Sequence, residues 1–83
     1  MSKKETINGL LELTNMYWSW VWQYSYFETL CNNWAFRLTY YGDFWILDCD
    51  NDKSRITIKG NGYLECWEKV QELVGNLQEI LSN

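Results

Sequence analysis

Between residues 34 and 59 apolar and polar side chains alternate with a period of two, the signature of strands buried on one face. Two β-prone runs, Trp34–Tyr41 and Phe44–Cys49, flank Gly42-Asp43, a two-residue hairpin signal with glycine first, as a type II′ turn requires. A third run, Arg55–Lys59, follows the turn-forming stretch Asp50-Asn-Asp-Lys53. A two-residue loop at 42–43 sets Tyr40 opposite Trp45, Leu38 opposite Leu47 and Arg37 opposite Asp48. A four-residue loop at 50–53 then sets Leu47 opposite Ile56, Trp45 opposite Ile58 and Asp48 opposite Arg55. One face becomes a core of Leu38, Leu47, Ile56, Tyr40, Trp45 and Ile58. The other carries an Arg37–Asp48–Arg55 ladder with opposite charges directly across, an arrangement that sheets favour.

The period changes to that of a helix over 63–81. At about 100° per residue, Cys66, Trp67, Val70, Leu73, Val74, Leu77, Ile80 and Leu81 share an arc of about 140°. Gly60-Asn-Gly62 ends the preceding strand, and Gly62 with Glu65 three residues on is an acceptable helix start. At the other end of the chain, Ile7, Leu10, Leu11 and Leu13 mark a first helix from about residue 4 to 14.

Residues 16–27 satisfy two periods. A continued helix aligns Asn8, Glu12, Asn15, Ser19 and Gln23 as a polar stripe. A strand aligns Trp18, Trp20, Trp22, Tyr24 and Tyr26 on one face, in residue types that prefer strands. The strand is preferred, because Thr14-Asn15 is a plausible helix stop. The expected fold is thus a single small α+β domain spanning 1–83. It is an antiparallel meander of three strands, or four with 16–27 extended, with an N-terminal helix and a C-terminal amphipathic helix packed on it. The three-strand order, α-β-β-β-α, resembles the double-stranded-RNA-binding domain in topology. That family's basic patch at the start of the last helix is replaced here by Gly60-Asn-Gly-Tyr-Leu-Glu-Cys66, with an acid, so the family's activity is not carried over.

Composition sharpens this picture. Fifteen aromatic side chains in 83 residues supply enough apolar surface to hold a small fold without disulfides. Seven of them fall between Tyr17 and Phe27. Eleven acids against seven bases, a net charge of −4, oppose direct binding to nucleic acid or to an anionic membrane surface, both of which need Lys and Arg. Cys31, Cys49 and Cys66 include no CxxC pair, and the chain has no histidine, so a zinc site would lack its usual ligands. An odd cysteine count reads as reduced thiols in a cytoplasmic protein. No apolar leader follows Met1-Ser-Lys-Lys-Glu, and no run reaches the length of a membrane span.

Candidate chemistry is sparse. Asp48-Cys-Asp50-Asn-Asp52 opens like a calcium loop, but Lys53 stands where the turn glycine belongs and Lys59 where the bidentate acid belongs. No histidine, activated nucleophile or phosphate-binding glycine loop is present, so neither an enzyme nor a cofactor is expected. Two surfaces remain. Glu65, Glu68, Glu72 and Glu79 lie within about 60° on the outer side of the last helix. At about 1.5 Å per residue they form a row roughly 21 Å long. With Asp50 and Asp52 they could meet a basic partner, although such stripes are ordinarily solvated. Tyr41 and Phe44 on the sheet, with Trp20 from the aromatic run, could anchor an interface, although tryptophans of such a run are ordinarily core.

In size, acidity and lack of catalytic residues the chain resembles the small phage-encoded inhibitors of bacterial defence, anti-CRISPR proteins among them. That resemblance implies a non-enzymatic protein-binding module that occupies a basic or nucleic-acid-binding surface of a larger protein. The second expectation is a homodimeric assembly protein joined through its aromatic sheet face.

Overall fold

The computed structural model describes residues 2–75 and 77. Helix α1 (Lys3–Thr14) precedes five strands, β1 (Ser19–Val21), β2 (Tyr26–Cys31), β3 (Trp34–Tyr40), β4 (Trp45–Asp50) and β5 (Arg55–Gly60), and helix α2 (Tyr63–Leu73) follows. Each strand pairs antiparallel with its sequence neighbour in an open sheet of order β1-β2-β3-β4-β5. The α+β meander between two helices is as the sequence implies, with two more strands than its readable core of three. The RNA-binding-domain order with three strands is therefore not the one formed.

Local chemistry explains the ends of α1. Ser2 and Glu5 form a capping box, the Ser2 hydroxyl accepting from the Glu5 N–H at 3.1 Å and Glu5 accepting from the Ser2 N–H at 3.4 Å. Asn15 closes the helix in the left-handed region (φ 58°), where asparagine is tolerated better than most residues. The Thr14 hydroxyl then directs the chain toward β1. It donates to the Leu10 carbonyl (2.7 Å) and accepts from the Met16 N–H (3.3 Å) and the Trp18 indole N–H (2.9 Å), all out of water.

The contested segment 16–27 is neither one helix nor one strand. It is a hairpin: β1 is three residues long, a turn occupies 22–25, and β2 begins at Tyr26. The turn draws on Ser25 at φ 55°, and β2 joins β3 through Asn32 and Asn33 at φ 50° and 71°. Two successive positive-φ asparagines are what a two-residue type I′ hairpin demands. Along β2, Phe27 and Thr29 are buried while Leu30 is exposed, so the strand reads as half-buried like its neighbours.

The β3–β4 register is the one expected, with Tyr40 opposite Trp45, Leu38 opposite Leu47 and Arg37 opposite Asp48. The β4–β5 register differs by two residues: Leu47 faces Ile58, Cys49 faces Ile56, Asp50 faces Arg55 and Asp48 faces Thr57. The cause is Asn51. Its side chain accepts from the Lys53 and Ser54 N–H groups at 2.9 and 2.8 Å, and its own N–H donates to the Ser54 carbonyl at 3.0 Å, which tightens the loop to Asp52-Lys53. A slip of two keeps every side chain on its expected face. The charge ladder is altered: Asp48 accepts from the Thr57 hydroxyl at 2.8 Å and meets Arg55 only diagonally, at 3.7 Å.

Both helices pack on one side of the sheet. The core joins Leu10 of α1 and Cys66, Trp67 and Val70 of α2 to Phe27, Phe36, Leu38, Leu47, Cys49 and Ile58. Phe36, fully buried, stands between Trp18 (6.4 Å) and Trp67 (5.7 Å). At Gly60 a Cβ would lie 2.9 Å from the Cys66 sulfur and 3.1 Å from its backbone nitrogen, so glycine lets β5 run directly under α2. The expected helix over 63–81 is shorter: α2 stops at Leu73, and Val74 takes a non-helical conformation ahead of Gly75, the poorest helix former short of proline. Leu73, assigned to the buried arc by periodicity, is 65% exposed, and Val74 and Leu77 take the inward positions. The rest of that span, with Ile80 and Leu81, lies outside the described residues.

Candidate binding surfaces

Because both helices lie on one face, no described element covers the other. That open face carries Tyr26, Glu28 and Leu30 of β2, Ala35, Arg37 and Thr39 of β3, Ile46, Asp48 and Asp50 of β4, and Arg55, Thr57 and Lys59 of β5. Arg37 is its electrostatic centre. Its Nε donates to Glu28 at 2.9 Å and its Nη1 to Asp50 at 3.1 Å, and the guanidinium lies 5.9 Å from the Tyr26 ring. Burial opposes its charge, but the hydrogen bond to Glu28 and the charges of Asp50 and Glu28 outweigh that and raise its pKa. The face therefore neutralises its own charges.

The meander gathers the β1–β2 and β3–β4 turns at one end of this face, and the exposed rings collect there. Tyr41 stacks on Phe44 at 5.2 Å, Tyr24 stacks on Tyr26 at 5.6 Å, and the Lys59 ammonium sits 4.4 Å over Phe44. Tyr24 is 67% exposed and Tyr41 58%. The Tyr41 N–H donates to the Phe44 carbonyl at 2.9 Å, so the backbone of the turn holds the first ring pair.

The structure divides the other residues singled out from sequence among separate places. Glu68 and Glu72 are exposed on the outward side of α2, across the molecule from Tyr41 and Phe44. Glu65 belongs to the helix start, where it accepts from the Asn61 N–H at 2.7 Å and pairs with Lys69 at 3.1 Å. Those contacts, the Asn61 hydrogen bond foremost, hold its pKa below the usual carboxylate value. Lys69 also donates to the Lys59 carbonyl at 2.9 Å, which sets a cation inside the acidic row. Glu79 lies outside the described residues. Asp50 is bound to Arg37 on the open face, and Asp52 is exposed at the β4–β5 turn. Trp20 faces the helix side, 4.8 Å from Phe27, beneath the Lys3 ammonium.

The aromatic ends were legible as residue types, but their grouping depends on β2, which the one-strand reading of 16–27 concealed. The signal that would have revealed it is Asn32-Asn33 between two β-prone runs. Trp20, Phe27, Tyr40 and Trp45 also wall a cleft that no spacing in the sequence announced.

Among the described residues, no group of three or more acidic or thiol side chains converges as a metal site would require. Cys49 and Cys66 are buried, and burial, with neighbouring carboxylates, raises both thiol pKa values, that of Cys49 to about 12. Such thiols stay protonated and are poor nucleophiles. No helix among the described residues is long and apolar enough to cross a membrane. The fold defines a small two-layer α+β domain, an open five-stranded antiparallel meander with both helices on one side. No protein-family model, curated protein or solved structure matches the chain.

Proposed function

We propose that this chain is a non-enzymatic protein-binding module that docks through the uncovered face of its sheet. The observation that carries the reading is the pairing of self-neutralised charge with stacked, exposed rings at one end of that face. Aromatic side chains bring large contact area at low entropic cost and dominate interface energetics, while charges already paired cost less to bury than unpaired ones. The double variant Tyr41→Ser with Phe44→Ser tests it. Both side chains are at a turn, so thermal stability should change little while association is lost. Sedimentation velocity reports self-association, and capture from host lysate reports a foreign partner. Full retention of both by the variant would refute the docking face.

A second reading rests on Glu68 and Glu72, one turn apart on α2, exposed and without an ion pair among the described residues. In that reading the protein is an inhibitor that sets these carboxylates against a basic, nucleic-acid-binding surface of a larger protein. Charge-led binding weakens steeply with salt, whereas ring-led docking does not. Glu68→Lys with Glu72→Lys should abolish the first and spare the second.

A further inference from the structure

On the helix side of the sheet, opposite the proposed docking face, a cleft of about 480 Å³ opens between the first turn of α1 and the turn-bearing end of the sheet. Its volume lies within the range of about 300–1,000 Å³ typical of small-molecule sites. Trp20, Phe27, Trp45 and Tyr40 form a continuous row of rings along it, with successive centroids 4.8, 6.4 and 4.8 Å apart. Lys3, Thr6 and Ser25 supply the polar lining, and no carboxylate lines the cleft. Lys3 lies 4.8 Å over the Trp20 ring and has no acidic partner among the described residues. The nearby acid of α1, Glu5, is turned back to the Ser2 N–H.

In a chain of net charge −4, a cleft walled by rings whose one charged lining group is an ammonium favours an anion over a cation electrostatically. The rings take a flat π-system on their faces, and Tyr40, 57% exposed, leaves one such face open. Lys3 and the positive end of α1 favour a negative substituent. We propose that this cleft binds a small planar aromatic anion, stacked on Tyr40 and Trp45 with its charge toward Lys3. An aromatic carboxylate and a mononucleotide share that chemistry.

The test uses the full chain and four probes: indole-3-acetate and AMP as anions, with indole-3-acetamide and adenosine as neutral counterparts. Titrations are followed by the indole N–H resonances in ¹H–¹⁵N spectra and by calorimetry. One anion or both should bind saturably and shift Trp20 and Trp45, and the tighter of the two identifies the class. The neutral counterpart should bind several-fold more weakly. Lys3→Gln should weaken the anion about three- to tenfold and leave the neutral probe unchanged, with melting temperature preserved because Lys3 is exposed. Tyr40→Ala should weaken both about tenfold through lost stacking. No saturable shift with either anion overturns the proposal. So does binding that ignores Lys3→Gln and Tyr40→Ala, or neutral probes that bind as tightly as the anions. The Tyr41/Phe44 double variant should bind the probe like the parent chain, so this test and that of the docking face fail independently.

Discussion

Trp18 and Trp67 both pack against Phe36 in the core, and they differ in one hydrogen bond. The indole N–H of Trp18 donates to the Thr14 hydroxyl at 2.9 Å. The indole N–H of Trp67, in a residue only 2% exposed, has no acceptor among the described residues. Replacing either by phenylalanine removes the same atoms, so the packing loss is similar and nearly cancels in a comparison. At position 18 the change deletes a hydrogen bond worth about 0.5–1.5 kcal/mol net. Thr14 is not stranded, since its hydroxyl keeps Leu10 and Met16 as partners. At position 67 it removes an unsatisfied buried donor, relieving a penalty of about 1–3 kcal/mol. Trp18→Phe should therefore cost about 1.5–4.5 kcal/mol more than Trp67→Phe. In a domain of this size each kcal/mol moves Tm by about 4–8 °C, so the two variants should melt at least about 6 °C apart. Urea denaturation followed by far-UV circular dichroism measures the difference without relying on the fluorescence of the residues replaced. Equal losses, or a larger loss for Trp67→Phe, would refute the assignment of the orphan N–H.

Further expectations follow from particular contacts. Gly60→Ala should destabilise by about 1–3 kcal/mol, because its methyl group meets the Cys66 sulfur and backbone; an unchanged urea midpoint would contradict the close approach. Asn33→Gly should stabilise by about 0.5–1 kcal/mol, since Asn-Gly suits a type I′ turn better than Asn-Asn, and a lower Tm would speak against that turn. Cys49 has a folded pKa near 12 against an ordinary value of 9.0, so the unfolded chain loses its proton first. Stability should thus be intact below about pH 9 and fall as pH rises from there toward 12, a limb that Cys49→Ala should flatten in pH-dependent melts. Glu65 has the opposite sign. Its lowered pKa makes its contribution present above the ordinary value of 4.5 and lost on acidification below it, so Glu65→Gln should melt with a shallower acid limb than the parent chain.

The sequence was most legible where one short-range rule acted alone. Gly42-Asp43 gave the β3–β4 register residue by residue, and the Ile7/Leu10 period with Thr14-Asn15 bounded α1. It was least legible where side-chain hydrogen bonds overrode loop composition. Asp50-Asn-Asp-Lys53 reads as a four-residue loop until the Asn51 side chain is seen to close it at two. The aromatic run misled for another reason: alternation of rings continues through a turn, so period alone could not show that Trp22–Ser25 reverses the chain. Trp20 illustrates what this means for a site. Its residue type suggested an anchor, but its face depended on a pairing, Trp20 with Phe27, that exists only once the hairpin is drawn.

Strict sequence order across the sheet governs how the chain can assemble. Each strand finds its partner in the next segment to be made, so the four hairpins close short loops and pay little chain entropy before their contacts form. Proteins built from such local pairings fold quickly for β-rich domains. The exception is the helix layer: α1 and α2 come from opposite ends of the chain and touch each other over a core that Phe36 centres. The sheet can zip up one hairpin at a time, while the burial of Phe36 between Trp18 and Trp67 must wait until both ends have arrived. The kinetic barrier should accordingly lie in docking the helices, with mutations at the turns altering the folding rate less than mutations around Phe36.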